Sequence, residues 1–142
     1  MTSEFLLKRR VQFYETDAAG IVHFSVFFRY MEEAEHAMWR AAGVTIAAPD
    51  ATIGFPRVAT CFEFFEPLRF EDEFEVRLLV TRKTPKTLSY RATVLKDGTT
   101  LARGTLTVSC VEKRPGERMR GITMPANIAD RFAVADSAEE DS

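Results

Sequence analysis

One helix-length amphipathic segment, set in a chain otherwise patterned for strands, restricts the fold more than any other feature. Across residues 26–42 (VFFRYMEEAEHAMWRAA), Phe27, Met31, Ala34, Met38, Ala41 and Ala42 recur at steps of three and four, with Tyr30 and Ala37 beside them. Arg29, Glu32, Glu33, Glu35 and Arg40 fall mostly off that stripe and read as its solvated face. Ser25 is placed to cap the start, and Gly43 to stop the helix at its C′ position. A helix of this span is about 25 Å long.

The remainder alternates with a period of two, the signal of half-buried strands. Phe5, Leu7, Val11 and Phe13 form one run; Val58, Thr60, Phe62 and Phe64 form a second, opposite Ala59, Cys61, Glu63 and Phe65. Phe74 to Val80, Leu88 to Val94 and Ala102 to Cys110 supply three more, separated by breaks at Pro67, Pro85 and Asp97-Gly98. The order is strand, helix, then four strands, with three hairpin-like links expected among those four. A lone helix must bury its apolar stripe, and the inner face of the sheet is the available partner. The expected architecture is α+β: a curved, antiparallel five-stranded sheet wrapped around one long central helix. Its open edges would be satisfied by joining a second copy, so a homodimer or homotetramer is expected.

The length, 142 residues, fits one domain, read as residues 1–131 followed by an acidic, flexible C-terminal tail at 132–142. With 19 Lys and Arg against 21 Asp and Glu, the chain lacks the broad positive field that draws nucleic acid. No run approaches the roughly 20 apolar residues of a membrane span. The opening MTSEFLLKRR reverses the order of a secretory signal, so a cytoplasmic location is the default expectation. Two His and two Cys are dispersed, and no metal site is expected. Cys61 and Cys110 sit in strand-like runs and read as buried thiols. There is no GxSxG elbow and no glycine-rich phosphate loop. Twelve Phe exclude a disordered chain and raise the question of what those rings line.

The informative stretch is residues 13–35, FYETDAAGIVHFSVFFRYMEEAE, between the first strand and the helix. Asp17 lies in a polar loop that ends at Gly20; Ile21 and Val22 follow, and His23-Phe24 stand at the helix entrance. Taken alone, an aspartate there is a turn former that bonds local backbone. The segment resembles the signature of the 4-hydroxybenzoyl-CoA thioesterase family of hotdog-fold acyl-CoA thioesterases, the YbgC-like type included. That pattern is roughly [YF]-x-[DE]-[TC]-D-x-x-G-[IV]-V-[YW]-[HY]-x-x-Y. Tyr14 (or Phe13), Glu15, Thr16, Asp17, Gly20, Ile21, Val22 and Tyr30-Met31-Glu32 fall on it. Residues 82–90 (RKTPKTLSY) are similar to the family's basic turn and following strand, and residues 124–128 (MPANI) to its closing segment.

The resemblance implies the hotdog fold and hydrolysis of an acyl-CoA thioester, with CoA part of the substrate and no separate cofactor. It implies Asp17 as nucleophile or general base and the backbone N–H near Phe24 as oxyanion donor. His23 is a further catalytic candidate, and Tyr14, Gly20 and Phe27 are substrate-binding candidates. Arg82, Lys83 and Lys86 are candidates for the CoA phosphates, as are Lys113, Arg114, Arg118 and Arg120; ordinary surface charge explains both clusters equally well. Relatives often carry His or Tyr at the position of Phe24, and Asn-Tyr at that of Val26-Phe27, so either His23 substitutes or Asp17 and the helix terminus suffice. One hotdog branch uses a helix glutamate, which makes Glu32 an alternative. An acyl-carrier-protein thioester is a second substrate class. A noncatalytic acyl-CoA or acyl-carrier-protein binding protein of the same fold is the rival reading.

Overall fold

The computed structural model describes residues 1–49 and 51–136. Five strands make the main sheet: β1 (Glu4–Arg10), β3 (Arg57–Phe64), β4 (Glu73–Lys83), β5 (Thr87–Lys96) and β6 (Thr99–Ser109). They are antiparallel in the order β1-β4-β5-β6-β3. A small second sheet joins β2 (Ile53–Gly54), β7 (Val111–Glu112) and β8 (Arg120–Gly121). The long helix α1 spans Phe24–Ala41, and a short α2 spans Ala126–Ala129. Among the described residues, no helix is long and apolar enough to cross a membrane.

The helix period buries the stripe read from the sequence except Ala41, which is exposed at the last turn, and Trp39 joins it. Phe27, Tyr30, Met31, Ala34, Met38 and Trp39 pack against Phe74, Val76, Leu78, Leu88, Tyr90, Val94 and Leu106 of the sheet. Burying such side chains stabilises by about 1.5–3 kcal/mol each. Gly43 ends α1 with φ +84°, the left-handed geometry expected of a C′ residue. Asp97-Gly98, both at positive φ, turn the β5–β6 hairpin.

Six expectations change. The helix starts two residues early, at Phe24, because His23 rather than Ser25 is the N-cap. β1 stops at Arg10, and Phe13 lies exposed in a 3₁₀ turn, Phe13–Glu15. Two hairpins are present, not three: β3 pairs with β6, and residues 65–72 cross to β4 beneath the start of α1. A period-two pattern assigns faces but not neighbours, so the strand order was not written in it. Cys61 is exposed on the edge strand β3, whereas Cys110 is buried. Residues 132–136 are not a loose tail. Phe132 is buried against Trp39, Thr2 bridges to it, and Ala135 N–H bonds Val80 O at 2.9 Å. The rest of the expected tail, 137–142, lies outside the described residues.

The sixth change is Glu35, which is fully buried although its position reads as solvated. Arg57 Nη2 and Nη1 donate to its carboxylate at 2.6 and 3.3 Å, and Trp39 Nε1 donates to Tyr90 Oη at 2.8 Å alongside. Desolvation raises the Glu35 pKa, and Arg57 opposes that rise. Arg57→Leu therefore strands a buried carboxylate, a change expected to cost about 3 kcal/mol near neutral pH. In that variant the folded pKa moves further above the unfolded one, so the folded state binds the extra proton. Its penalty is expected to shrink as pH falls toward the ordinary carboxyl range and to grow as pH rises. Urea unfolding at several pH values checks this, and a penalty independent of pH would contradict it.

Candidate active site

The loop before α1 is held by its own backbone. Asp17 N–H bonds Ile21 O at 2.8 Å, Gly20 N–H bonds Asp17 O at 3.0 Å, and Ala19 N–H bonds Asp17 Oδ1 at 2.8 Å. Gly20, at φ +80°, makes the turn that brings Ile21 back toward Asp17. Asp17 thus has the turn-forming contact expected of any loop aspartate, and that contact also fixes the carboxylate's direction. Ile21 bridges to Arg69, and Val22 N–H bonds Leu68 O at 2.8 Å, which clamps the loop onto the β3–β4 crossover.

His23 shapes the helix start. Its Nδ1 accepts from Ser25 N–H at 3.2 Å and lies 2.7 Å from Ser25 Oγ, while its carbonyl accepts from Val26 N–H at 2.9 Å. The Phe24 N–H is the first-turn donor that this cap does not use, at the positive end of the α1 dipole. The Phe24 ring lies 4.6 Å from that of His23, centroid to centroid, and is exposed.

Asp17, Phe24 and Phe27 line one open cleft of about 390 Å³, together with Ile21, Val22, Phe64, Phe65, Glu66 and Pro67. Phe27 meets Phe64 edge-on at 5.1 Å, and Phe62 stacks on Phe64 at 5.9 Å. The walls are apolar, and the two charged side chains that line them, Asp17 and Glu66, are both carboxylates. Phe64, Phe65, Glu66 and Pro67 were not singled out from sequence as site residues. They arrive through the crossover, which only the strand order reveals.

The other candidates lie elsewhere. Tyr14 is exposed on the 3₁₀ turn and does not line the cleft. Glu32 pairs with Arg57 at 3.2 Å, well along the helix. Arg82, Lys83 and Lys86 surround the β4–β5 turn, whereas the Asp17 loop sits where β4 begins and β3 ends, at the opposite end of the sheet. Lys83 Nζ donates to Phe132 O at 3.0 Å, which ties the C-terminal segment down. Lys113, Arg114, Arg118 and Arg120 lie on and around β7–β8; Arg114 pairs with Glu112 at 3.0 Å. Among the described residues, no group of three or more His, Cys, Asp or Glu is gathered to hold a metal.

An antiparallel five-stranded sheet packed on one long helix, with Asp17 and Phe24 lining one apolar cleft, is the arrangement of the hotdog-fold thioester hydrolases. The chain belongs to the Thioesterase-like superfamily, whose family model matches residues 11–132. It is 36% identical to an Aquifex aeolicus protein over 77% of this chain and 85% of that one. It is 29% identical to a 1,4-dihydroxy-2-naphthoyl-CoA hydrolase of Synechococcus over 79% of this chain and 80% of that one. Among solved structures, a gentisyl-coenzyme A thioesterase superposes with a TM-score of 0.78 at 27% identity, covering 87% of this chain and 98% of that one.

Proposed function

We propose that the protein hydrolyses an acyl-CoA thioester to the free acid and CoA, with Asp17 acting on the thioester carbonyl and the Phe24 N–H receiving the oxyanion. The observation that carries this reading is that Asp17 and Phe24, the first residue of α1, line one apolar cleft. A thioester seated there presents its carbonyl oxygen to the helix N-terminus, where a backbone donor stabilises developing negative charge. The Asp17 carboxylate either attacks the carbonyl carbon and expels the CoA thiolate, forming an anhydride that water then cleaves to free acid and Asp17, or takes a proton from a water that attacks directly. Because the donor is backbone, replacing the family's usual polar side chain by Phe24 leaves it in place. His23, with Nδ1 turned to Ser25, then serves to hold the helix start. CoA is part of the substrate, no separate cofactor is needed, and free Cys61 and Cys110 suit a cytoplasmic setting.

The basic turn joins the site through a second copy. β3 is an edge strand with one partner, β6, and a mostly exposed face. Antiparallel pairing of two β3 edges about a two-fold axis sets the Arg57 end of one copy beside the Phe64 end of the other. Lys86 lies at that Arg57 end, since Cys110 N–H bonds Lys86 O at 2.7 Å and Ser109 N–H bonds Pro56 O at 3.2 Å. The partner's basic turn, with Arg82 and Lys86, thereby approaches the Asp17 end, where CoA phosphates would lie.

The acyl group is apolar and carries no carboxylate of its own, because Asp17 and Glu66 already place two negative charges at the cleft. The test is free-thiol release from octanoyl-CoA, benzoyl-CoA and malonyl-CoA, with a carrier-protein thioester as a fourth substrate. At least about tenfold higher kcat/KM for the better uncharged CoA ester over malonyl-CoA is expected, a modest 1.4 kcal/mol of discrimination. No thiol release from any ester, or a preference for malonyl-CoA, would overturn the reading.

A further inference from the structure

We infer that Glu15 is a positioning residue for this hydrolysis, holding the Asp17 loop at a fixed separation from the N-terminus of α1; the inference rests on the function proposed above. Glu15 lies two residues before Asp17 and is only 5% exposed. Its carboxylate receives Arg9 Nη1 at 2.9 Å and Nη2 at 2.7 Å from β1, Gln12 N–H at 2.8 Å from its own turn, and Tyr30 Oη at 3.0 Å from α1. Its main-chain oxygen also accepts the N–H of His23, the residue that caps α1, at 3.0 Å.

One side chain therefore joins the strand, the turn and the helix that the Asp17 loop spans. Three of the four donors, Arg9 Nη1, Gln12 N–H and Tyr30 Oη, converge on Oε1, and Arg9 Nη2 meets Oε2. Burying a carboxylate is costly unless it is so satisfied, and a surface turn needs no such group for its own sake. Arg9 is in turn held by Glu33 at 2.8 Å and lies over the Tyr30 ring, 4.9 Å from its centroid. The network thus fixes the helix from two successive turns. What it sets is where the Asp17 carboxylate stands relative to the Phe24 N–H. An error of about 1 Å in such a placement lowers turnover by up to about 100-fold.

The test is Glu15→Gln, which keeps the side-chain volume but removes the charge and, with its amide oxygen kept at the Oε1 position, turns an NH2 group toward Arg9 Nη2. With whichever of octanoyl-CoA and benzoyl-CoA the wild type turns over faster, kcat is expected to fall about 10–100-fold and KM to change by less than about threefold. Groups that act as a unit are not additive. In an Asp17→Asn background the same substitution is expected to alter the residual rate by less than about threefold. Tyr30→Phe removes one of the four bonds with little loss of packing; it is expected to lower kcat about threefold or more, with the same dependence on background, and decides the question if Glu15→Gln does not fold. Unchanged kcat, or equal factors in both backgrounds, would overturn the inference, because a loss of folded protein lowers every rate alike. An active wild type beside unaltered variants removes only the role of Glu15, whereas a wild type inactive on every ester removes the hydrolase reading beneath it.

Discussion

Asp17→Asn is expected to lower turnover of an apolar acyl-CoA by at least about 10²-fold, with KM and thermal stability close to those of the wild type. The amide oxygen can still accept the Ala19 N–H that Asp17 Oδ1 accepts at 2.8 Å, so the turn survives. On the proposed mechanism, what is lost is the negative oxygen that attacks the carbonyl or takes a proton from water. Losing a positioned base costs about 10²–10⁴-fold, and losing a nucleophile costs more. Residual activity would come from the helix terminus and from binding. Steady-state thiol release, with circular dichroism as the control for folding, checks this; turnover within threefold of wild type, about 0.6 kcal/mol, would contradict it.

Phe24→Pro is expected to lower kcat about 10²–10³-fold, the usual loss when one oxyanion donor is removed. The substitution deletes the N–H together with the ring that lines the cleft, without disturbing the helix. Phe24 is the first residue of α1, where proline's fixed φ is accepted and its missing N–H breaks no helical bond. A residue before proline must be extended, and His23 already is, at φ −62° and ψ 138°. Phe24 is also 62% exposed, so losing its ring costs little packing. Phe24→Ala is the control: it keeps the donor, and its kcat is expected to stay within about tenfold while KM for apolar acyl groups rises. Equal kcat in the two variants would remove the Phe24 N–H from the mechanism.

The helix and most strand faces were legible in the sequence because each rests on a local period. Phe27, Met31, Ala34 and Met38 form one stripe whatever surrounds them, and all are buried. The candidate cleft was half legible for a related reason. Asp17, Gly20 and Phe24 share one short stretch of chain, whereas Phe64, Phe65, Glu66 and Pro67 reach the cleft through a strand order that no local pattern encodes. Glu15 and Glu35 were misplaced or passed over because a charged residue on a helix or turn is normally solvated. Each is buried by partners distant in sequence, Tyr30 for the first and Arg57 for the second. The surplus of phenylalanine splits accordingly. Phe74 and Phe132 fill the core, and Phe24, Phe27, Phe64 and Phe65 wall the cleft beside Asp17.

The most direct test of the central claim is a crystal structure of the Asp17→Asn variant with an uncleaved apolar acyl-CoA bound. The account predicts the thioester carbonyl oxygen about 3 Å from the Phe24 nitrogen, the acyl group between Phe27 and Phe64, and the side chain at position 17 facing the carbonyl carbon. A thioester bound at Glu32, or one whose carbonyl points away from the start of α1, would contradict it.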